Sequence, residues 1–163
     1  MSDENLPESA RVVVIGGGII GCSVAYHLAE EGCDVVLLER DQLTSGTTWH
    51  AAGLMTSYGS GSETLLGIRQ HAMQLYKRLE AETGQQTGFN PCGFIELAAD
   101  DDRLEEYRRI TAFNRLQGND IEEISPSEIK NLFPFAEVDS IKAGFYAEND
   151  GRINPVDVTM ALA

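Results

Sequence analysis

The sequence has little positive charge. Its 12 lysines and arginines stand against 26 aspartates and glutamates, for a formal net charge of −14. A nucleic-acid surface needs clustered cations to displace counterions, and an anionic membrane attracts basic segments, so neither partner is expected. The acidity itself reads as solubility. Cysteine is scarce as well. Cys22, Cys33 and Cys92 have no metal-ligand spacing and cannot all pair, which points to a reducing compartment, taken here as the cytoplasm. No apolar run reaches the roughly 18 residues that a membrane span needs. Repeats and low-complexity tracts are missing too. Residues 1–10 are polar and acidic, unlike a signal or transit peptide, and are expected to form a disordered arm.

What is present supports one globular unit. The chain has 163 residues, 42% of them hydrophobic, enough for a real core. Its organising stretch is RVVVIGGGIIGCSVAYHLAEEGCDVVLLER, Arg11 to Arg40. Arg11 to Ile15 is a β-branched run suited to a strand buried on both faces. Gly16, Gly18 and Gly21 follow as G-x-G-x-x-G. Gly16 would make the tight turn, Gly18 would let the backbone approach a pyrophosphate, and Gly21 would let helix and strand pack closely. In the helix that starts there, Ile20, Val24 and Leu28 recur at helical spacing and are expected to face the sheet. Gly32 should end that helix. A second strand runs from Asp34 to Glu39, whose acid falls 18 positions after Gly21 (39 − 21), where it would take the ribose hydroxyls of a dinucleotide. A G-x-G-x-x-G alone is a weak signal; strand, motif, helix, capping glycine, strand and acid in register form a strong one.

Asp41 to Met55 is rich in small hydroxyl residues and glycine, and reads either as a cofactor-lining segment or as a polar connection. TSYGSGS, 56–62, has the composition of a flexible turn. Glu63 to Thr83 is an amphipathic helix with a stripe of Leu65, Ile68, Ala72, Leu75, Tyr76 and Leu79, stopped by Gly84. On it, His71 reads as a solvated residue, since no second ligand stands at a partner spacing. A strand over 93–98 precedes a helix over 100–116 carrying Leu104, Tyr107, Ile110 and Phe113. Its acids Asp100, Asp101 and Asp102 suit the helix dipole better than a metal, and no metal is expected. A strand over 121–124, a capping box at Ser125–Glu128, a strand over 141–147 and a turn over 148–151 follow. Asn154-Pro155 opens a last helix. That helix is still running at Ala163, and a two-strand βαβ unit leaves open edges, so the chain is expected to be a truncated piece of a longer domain.

The stretches VVVIGGGIIGCSVAYHLAEEG, VVLLER and LTSGTTWHAAGL resemble the N-terminus of the sarcosine and dimethylglycine dehydrogenase family, within the glycine-oxidase-like and D-amino-acid-oxidase-like flavoproteins. CGFIELA and NDGRINPVDV extend the similarity through most of the chain. The resemblance implies an α/β fold: a Rossmann-like FAD-binding βαβ unit with part of an antiparallel substrate-side sheet, in an incomplete domain over 11–163. It implies cofactor contacts at Gly16, Gly18, Ile19 and Gly21, at Glu39 and Arg40, and at Ser45, Gly46, Thr47 and Thr48. It places Ala51, Ala52, Gly53 and Leu54 along the flavin. His50 matches the histidine that the family joins covalently to the flavin 8α-methyl carbon, a link that raises the flavin potential and favours hydride removal from an amine carbon.

The activity so implied is oxidative demethylation of N-methylglycines, sarcosine or dimethylglycine, with electrons passing to an electron-transfer flavoprotein. A tetrahydrofolate site would lie in a C-terminal region beyond this sequence. Eukaryotic relatives work in mitochondria, so the mitochondrial matrix stands beside the cytoplasm as a compartment. An oxygen-using flavin amine oxidase of the same fold and an inactive truncated product remain alternatives. An NAD-dependent dehydrogenase shares the glycine turn but leaves SGTTWHAAG unexplained. No catalytic residue is assigned.

Overall fold

A computed structural model describes residues 7–59 and 61–163. Most of the expected disordered arm, and Ser60 of the expected flexible turn, lie outside the described residues; residues 7–10 have no regular structure. The chain forms two compact units. The first draws on Met1–Gly53, Arg78–Gly88 and Asn154–Ala163, the second on Leu54–Lys77 and Phe89–Ile153.

In the first unit, β1 (Val12–Ile15) pairs in parallel with β2 (Val35–Leu38), Val12 opposite Val35 and Ile15 opposite Leu38. A parallel pair needs a crossover, and α1 (Ile19–Glu30) supplies it. Gly32, with φ +71°, donates its N–H to Ala29 O and turns the chain toward β2. The last helix of the chain, α5 (Pro155–Leu162), packs against α1 and buries Val158, Ala161 and Leu162. Asn154 caps it, its side chain accepting from the N–H groups of Val156 and Asp157.

Two expectations for this unit fail. β1 is covered on one face only: Val12 and Val14 are half-buried, while Ile15 is 86% exposed and Val13 also stands out. Nor are Ile20 and Val24 buried against the sheet; Ile20 is 79% and Val24 45% exposed. α1 meets β1 through Gly21, where an added Cβ would lie 3.5 Å from Val14 Cγ1, and Ile20, one position earlier, points about 100° round the helix from it. The fully buried residue of α1 is Cys22, whose thiol burial pushes above its ordinary pKa, with Glu39 adding to the effect.

The second unit carries an antiparallel sheet in the order β4 (Phe94–Ala98), β6 (Ala143–Ala147), β5 (Glu122–Ile124). A shorter antiparallel pair joins β3 (Leu54–Met55) to β7 (Gly151–Arg152). α3 (Asp101–Leu116) lies on the three-stranded sheet, with Leu104, Tyr107 and Ile110 packed against Phe145, Ile121 and Tyr58. Asp100 caps α3 by accepting from Arg103 N–H, the role expected for that acidic start. Ser125 and Glu128 form the expected capping box on α4 (Pro126–Leu132). Asp150, fully buried, accepts from the backbone N–H groups of Ser57 and Tyr58 and from the Ser57 hydroxyl, fixing the chain after β3.

The expected stripe of α2 (Glu63–Thr83) is only partly right. Leu75 and Leu79 are buried, but Leu65 is 54% and Ile68 60% exposed. Leu66 and Met73 are buried instead. Adjacent leucines at 65 and 66 allow two faces to be drawn one residue apart, and helical periodicity alone does not choose between them.

Candidate cofactor site

The chain leaves β1 at Ile15 and turns at once. Gly16 has φ +111°, a conformation that a side chain strains, and donates its N–H to Leu38 O at 2.7 Å, closing the sheet at its carboxyl end. Gly21 is held by contact rather than torsion: a Cβ there would lie 1.9 Å from Gly16 O. Both roles are those expected. The middle glycine, Gly17, has no place in the G-x-G-x-x-G pattern, yet a Cβ on it would meet Leu43 Cδ2 and, at 3.0 Å, Glu39 Cβ. Gly18 is the N-cap of α1, and the neighbour closest to its missing Cβ is Thr48 Oγ1, at 3.1 Å.

Glu39 braces this turn. Its Oε2 accepts from Gly17 N–H at 2.7 Å and its Oε1 from Asp41 N–H at 3.0 Å. The Gly17 N–H above all, and then the Asp41 N–H, hold its carboxyl below the usual carboxylate range. A carboxylate has about four lone-pair sites, so these two bonds leave capacity for ribose hydroxyls. With Ile15, Gly16, Leu38, Arg40, Asp41, Ser45 and Gly46, Glu39 lines a cleft of about 460 Å³. The cleft lies where β1 and β2 end, the place at which open parallel sheets take their ligands.

The segment after β2 folds back over the glycine turn. Thr44 donates its N–H to Gly17 O at 2.9 Å, and does so with φ +72° while buried. A β-branched residue in that region is strained, and nothing in the sequence pattern marks it. Thr48 is buried and its Oγ1 accepts from Ile19 N–H at 3.0 Å. Residues Thr48–His50 form one turn of 3-10 helix, with Thr47 as its exposed N-cap and α5 behind it. Trp49 and His50 are exposed and lie against one another, ring centroids 3.9 Å apart. His50 Nδ1 is 3.1 Å from Gly46 O. A carbonyl only accepts, so Nδ1 carries the proton and Nε2 holds the free lone pair of the neutral ring.

The structure thus brings Gly16, Gly18, Ile19, Gly21, Glu39, Arg40, Ser45, Gly46 and Thr48 into one neighbourhood, with Thr47 and His50 on the same turn. Ala51 and Ala52 are exposed, Gly53 is buried with φ +74°, and Leu54 opens β3 in the second unit. Two glycines with no room for a Cβ, Gly17 and Gly21, a third whose φ disfavours one, Gly16, a helix N-terminus, and an acid at the end of β2 fit an adenine dinucleotide. No cluster of metal-ligating side chains occurs among the described residues, and none of their helices is long and apolar enough to cross a membrane.

Comparison with known proteins agrees with this geometry. The family model described as DAO, FAD dependent oxidoreductase, matches residues 11–163. The mitochondrial dimethylglycine dehydrogenase of Rattus norvegicus is 45% identical over 157 residues, 96% of this chain and 18% of its own length. The mitochondrial sarcosine dehydrogenase of Homo sapiens is 41% identical over 160 residues, 97% of this chain and 17% of its own. Among solved structures, the L-proline dehydrogenase of P. horikoshii superposes with a TM-score of 0.90 at 27% identity, over 97% of this chain and 41% of that one. The chain therefore spans less than a fifth of the length of these curated relatives.

Proposed function

We propose a function that starts from membership: the chain belongs to the family of FAD dependent oxidoreductases (DAO), matched over residues 11–163. It supplies the FAD-binding residues of an amine oxidoreductase that demethylates N-methylglycines, sarcosine or dimethylglycine. The observation that carries this reading is the seating of the Trp49–His50 turn on the glycine turn through Thr48 and Ile19. A plain dinucleotide site needs the glycines and Glu39 but has no use for that turn.

Bound FAD supplies the two-electron acceptor for a hydride from the amine carbon. The chain's own groups do the holding. Gly16 and Gly21 shape the turn under the phosphates, and Glu39 orients that turn through Gly17 while keeping lone pairs for the ribose. Ser45 and Gly46 line the same cleft, and Arg40 puts a cation beside it. Gly46 O fixes the His50 tautomer, so that Nε2 is the nitrogen free to carry the flavin link. Electron-transfer flavoprotein is the acceptor in this reading, and any tetrahydrofolate site lies outside this sequence. The compartment is a reducing one: the cytoplasm, or the mitochondrial matrix, in line with the word mitochondrial in both curated relatives' names.

The test is anaerobic reduction of the holoprotein, expressed from its complete reading frame, followed by mixing with oxygen or with electron-transfer flavoprotein. Bleaching of the flavin by sarcosine or dimethylglycine, with slow reoxidation by oxygen and fast reoxidation by the flavoprotein, is expected. Fast reoxidation by oxygen would replace the dehydrogenase with an oxidase. Failure of every N-methylated amino acid to bleach the flavin would remove the substrate class.

A further inference from the structure

Ile19 opens α1, so its N–H is one of those a helix leaves without an internal partner. An N-cap side chain reaches the N–H of the second or third helical residue rather than the first, and here the N-cap is Gly18, which has no side chain at all. The acceptor comes from 29 residues downstream: the hydroxyl of Thr48, 3.0 Å away. Gly18 leaves room for it, since a Cβ there would stand 3.1 Å from that oxygen. The same residue begins the 3-10 turn, its carbonyl accepting Ala51 N–H at 3.1 Å. One buried side chain therefore joins the first turn of α1 to the turn that carries His50, and α5 packs behind both.

We propose that Thr48 is a positioning residue: by capping α1 from outside the helix, it fixes the Trp49–His50 turn against the glycine turn and so sets where the imidazole stands relative to a dinucleotide on Gly16–Gly21. Among the described residues, the anchors of His50 are local: Gly46 O for Nδ1, Thr47 O for its backbone N–H and the Trp49 ring beside it, all in the same loop. Thr44 N–H on Gly17 O holds the start of that loop to the glycine turn, and Thr48 ties its 3-10 turn to the helix through one hydroxyl of fixed reach. The consequence for flavin attachment rests on the function proposed above; the consequence for the loop does not.

Thr48→Val keeps the shape and removes the acceptor, whereas Thr48→Ser keeps the acceptor. Both are made in the holoprotein expressed from its complete reading frame, and two quantities are read. The first is amide hydrogen exchange of a peptide covering 44–52, with a peptide covering β6 as the reference. The valine variant should exchange about tenfold faster in 44–52 and unchanged in β6, while the serine variant matches wild type. The second is the fraction of flavin that stays with acid-precipitated protein, which should fall about tenfold or more in the valine variant and recover in the serine one. Wild-type exchange in the valine variant, or equal loss in both variants, overturns the proposal. If wild-type protein itself holds no acid-stable flavin, the tether in the proposed function fails, and the exchange comparison alone then upholds or removes the role of Thr48.

Discussion

At the scale of single residues, Glu39 carries the clearest electrostatic consequence. Its carboxylate accepts two backbone N–H groups, from Gly17 and Asp41, and the first of these is the main cause of its lowered pKa. A carboxyl whose folded-state pKa is lowered contributes stability that is complete above its unfolded value, about 4.3, and is lost as pH falls through the folded value. Glu39→Gln replaces one acceptor oxygen with a donor that Gly17 or Asp41 N–H must face. The variant should melt below wild type at pH 7, with a constant gap down to about pH 5 that closes below about pH 4. Melting curves across pH measure this; a gap that widens in acid would contradict it. Gly17, Thr44 and Thr48 complete the brace, and their parts were invisible in the pattern of residue types. Gly17 hides between two motif glycines, and a left-handed threonine is what propensity argues against.

At the scale of elements, local signals served well where the chemistry is local. The capping box at Ser125–Glu128, the Asn154 cap and the Gly32 and Gly84 stops all lie where the sequence places them, because a cap is decided within a few residues. Which face of a helix is buried is a tertiary matter. Ile20 and Val24 fit a core stripe by spacing, but the helix approaches the strand through Gly21 at Gly16 O, and both residues stay exposed. In α2, Leu66 rather than Leu65 is buried for the same kind of reason. A prediction belongs to that helix. Gly67 lies exposed in α2 with nothing within 4 Å of an added Cβ. Gly67→Ala should therefore stabilise the protein by roughly 0.5–1 kcal/mol, the usual helix-interior difference. Chemical denaturation would show it as a raised midpoint; a lowered midpoint would mean that this glycine serves a contact outside the described residues.

At the scale of the whole molecule, the chain returns to its first unit after leaving it, since that unit gathers three separate segments. The α/β class, with its parallel pair and antiparallel sheet, is legible in the sequence because βαβ and hairpin-like patterns have different periods. The residue pattern did not anticipate that β1 is covered on one face only among the described residues. A run of valine and isoleucine states that a strand prefers burial but not which element supplies it. Membership in the FAD dependent oxidoreductases is shown across 11–163, and the proposed flavin link rests on the turn bearing His50. The most direct measurement is mass spectrometry of the tryptic peptide from Asp41 to Arg69, taken from holoprotein expressed from its complete reading frame. The account predicts that peptide at its own mass plus one FAD less two hydrogens, with fragment ions placing the addition on His50. A peptide found only at its unmodified mass, with all flavin released by acid, would contradict it.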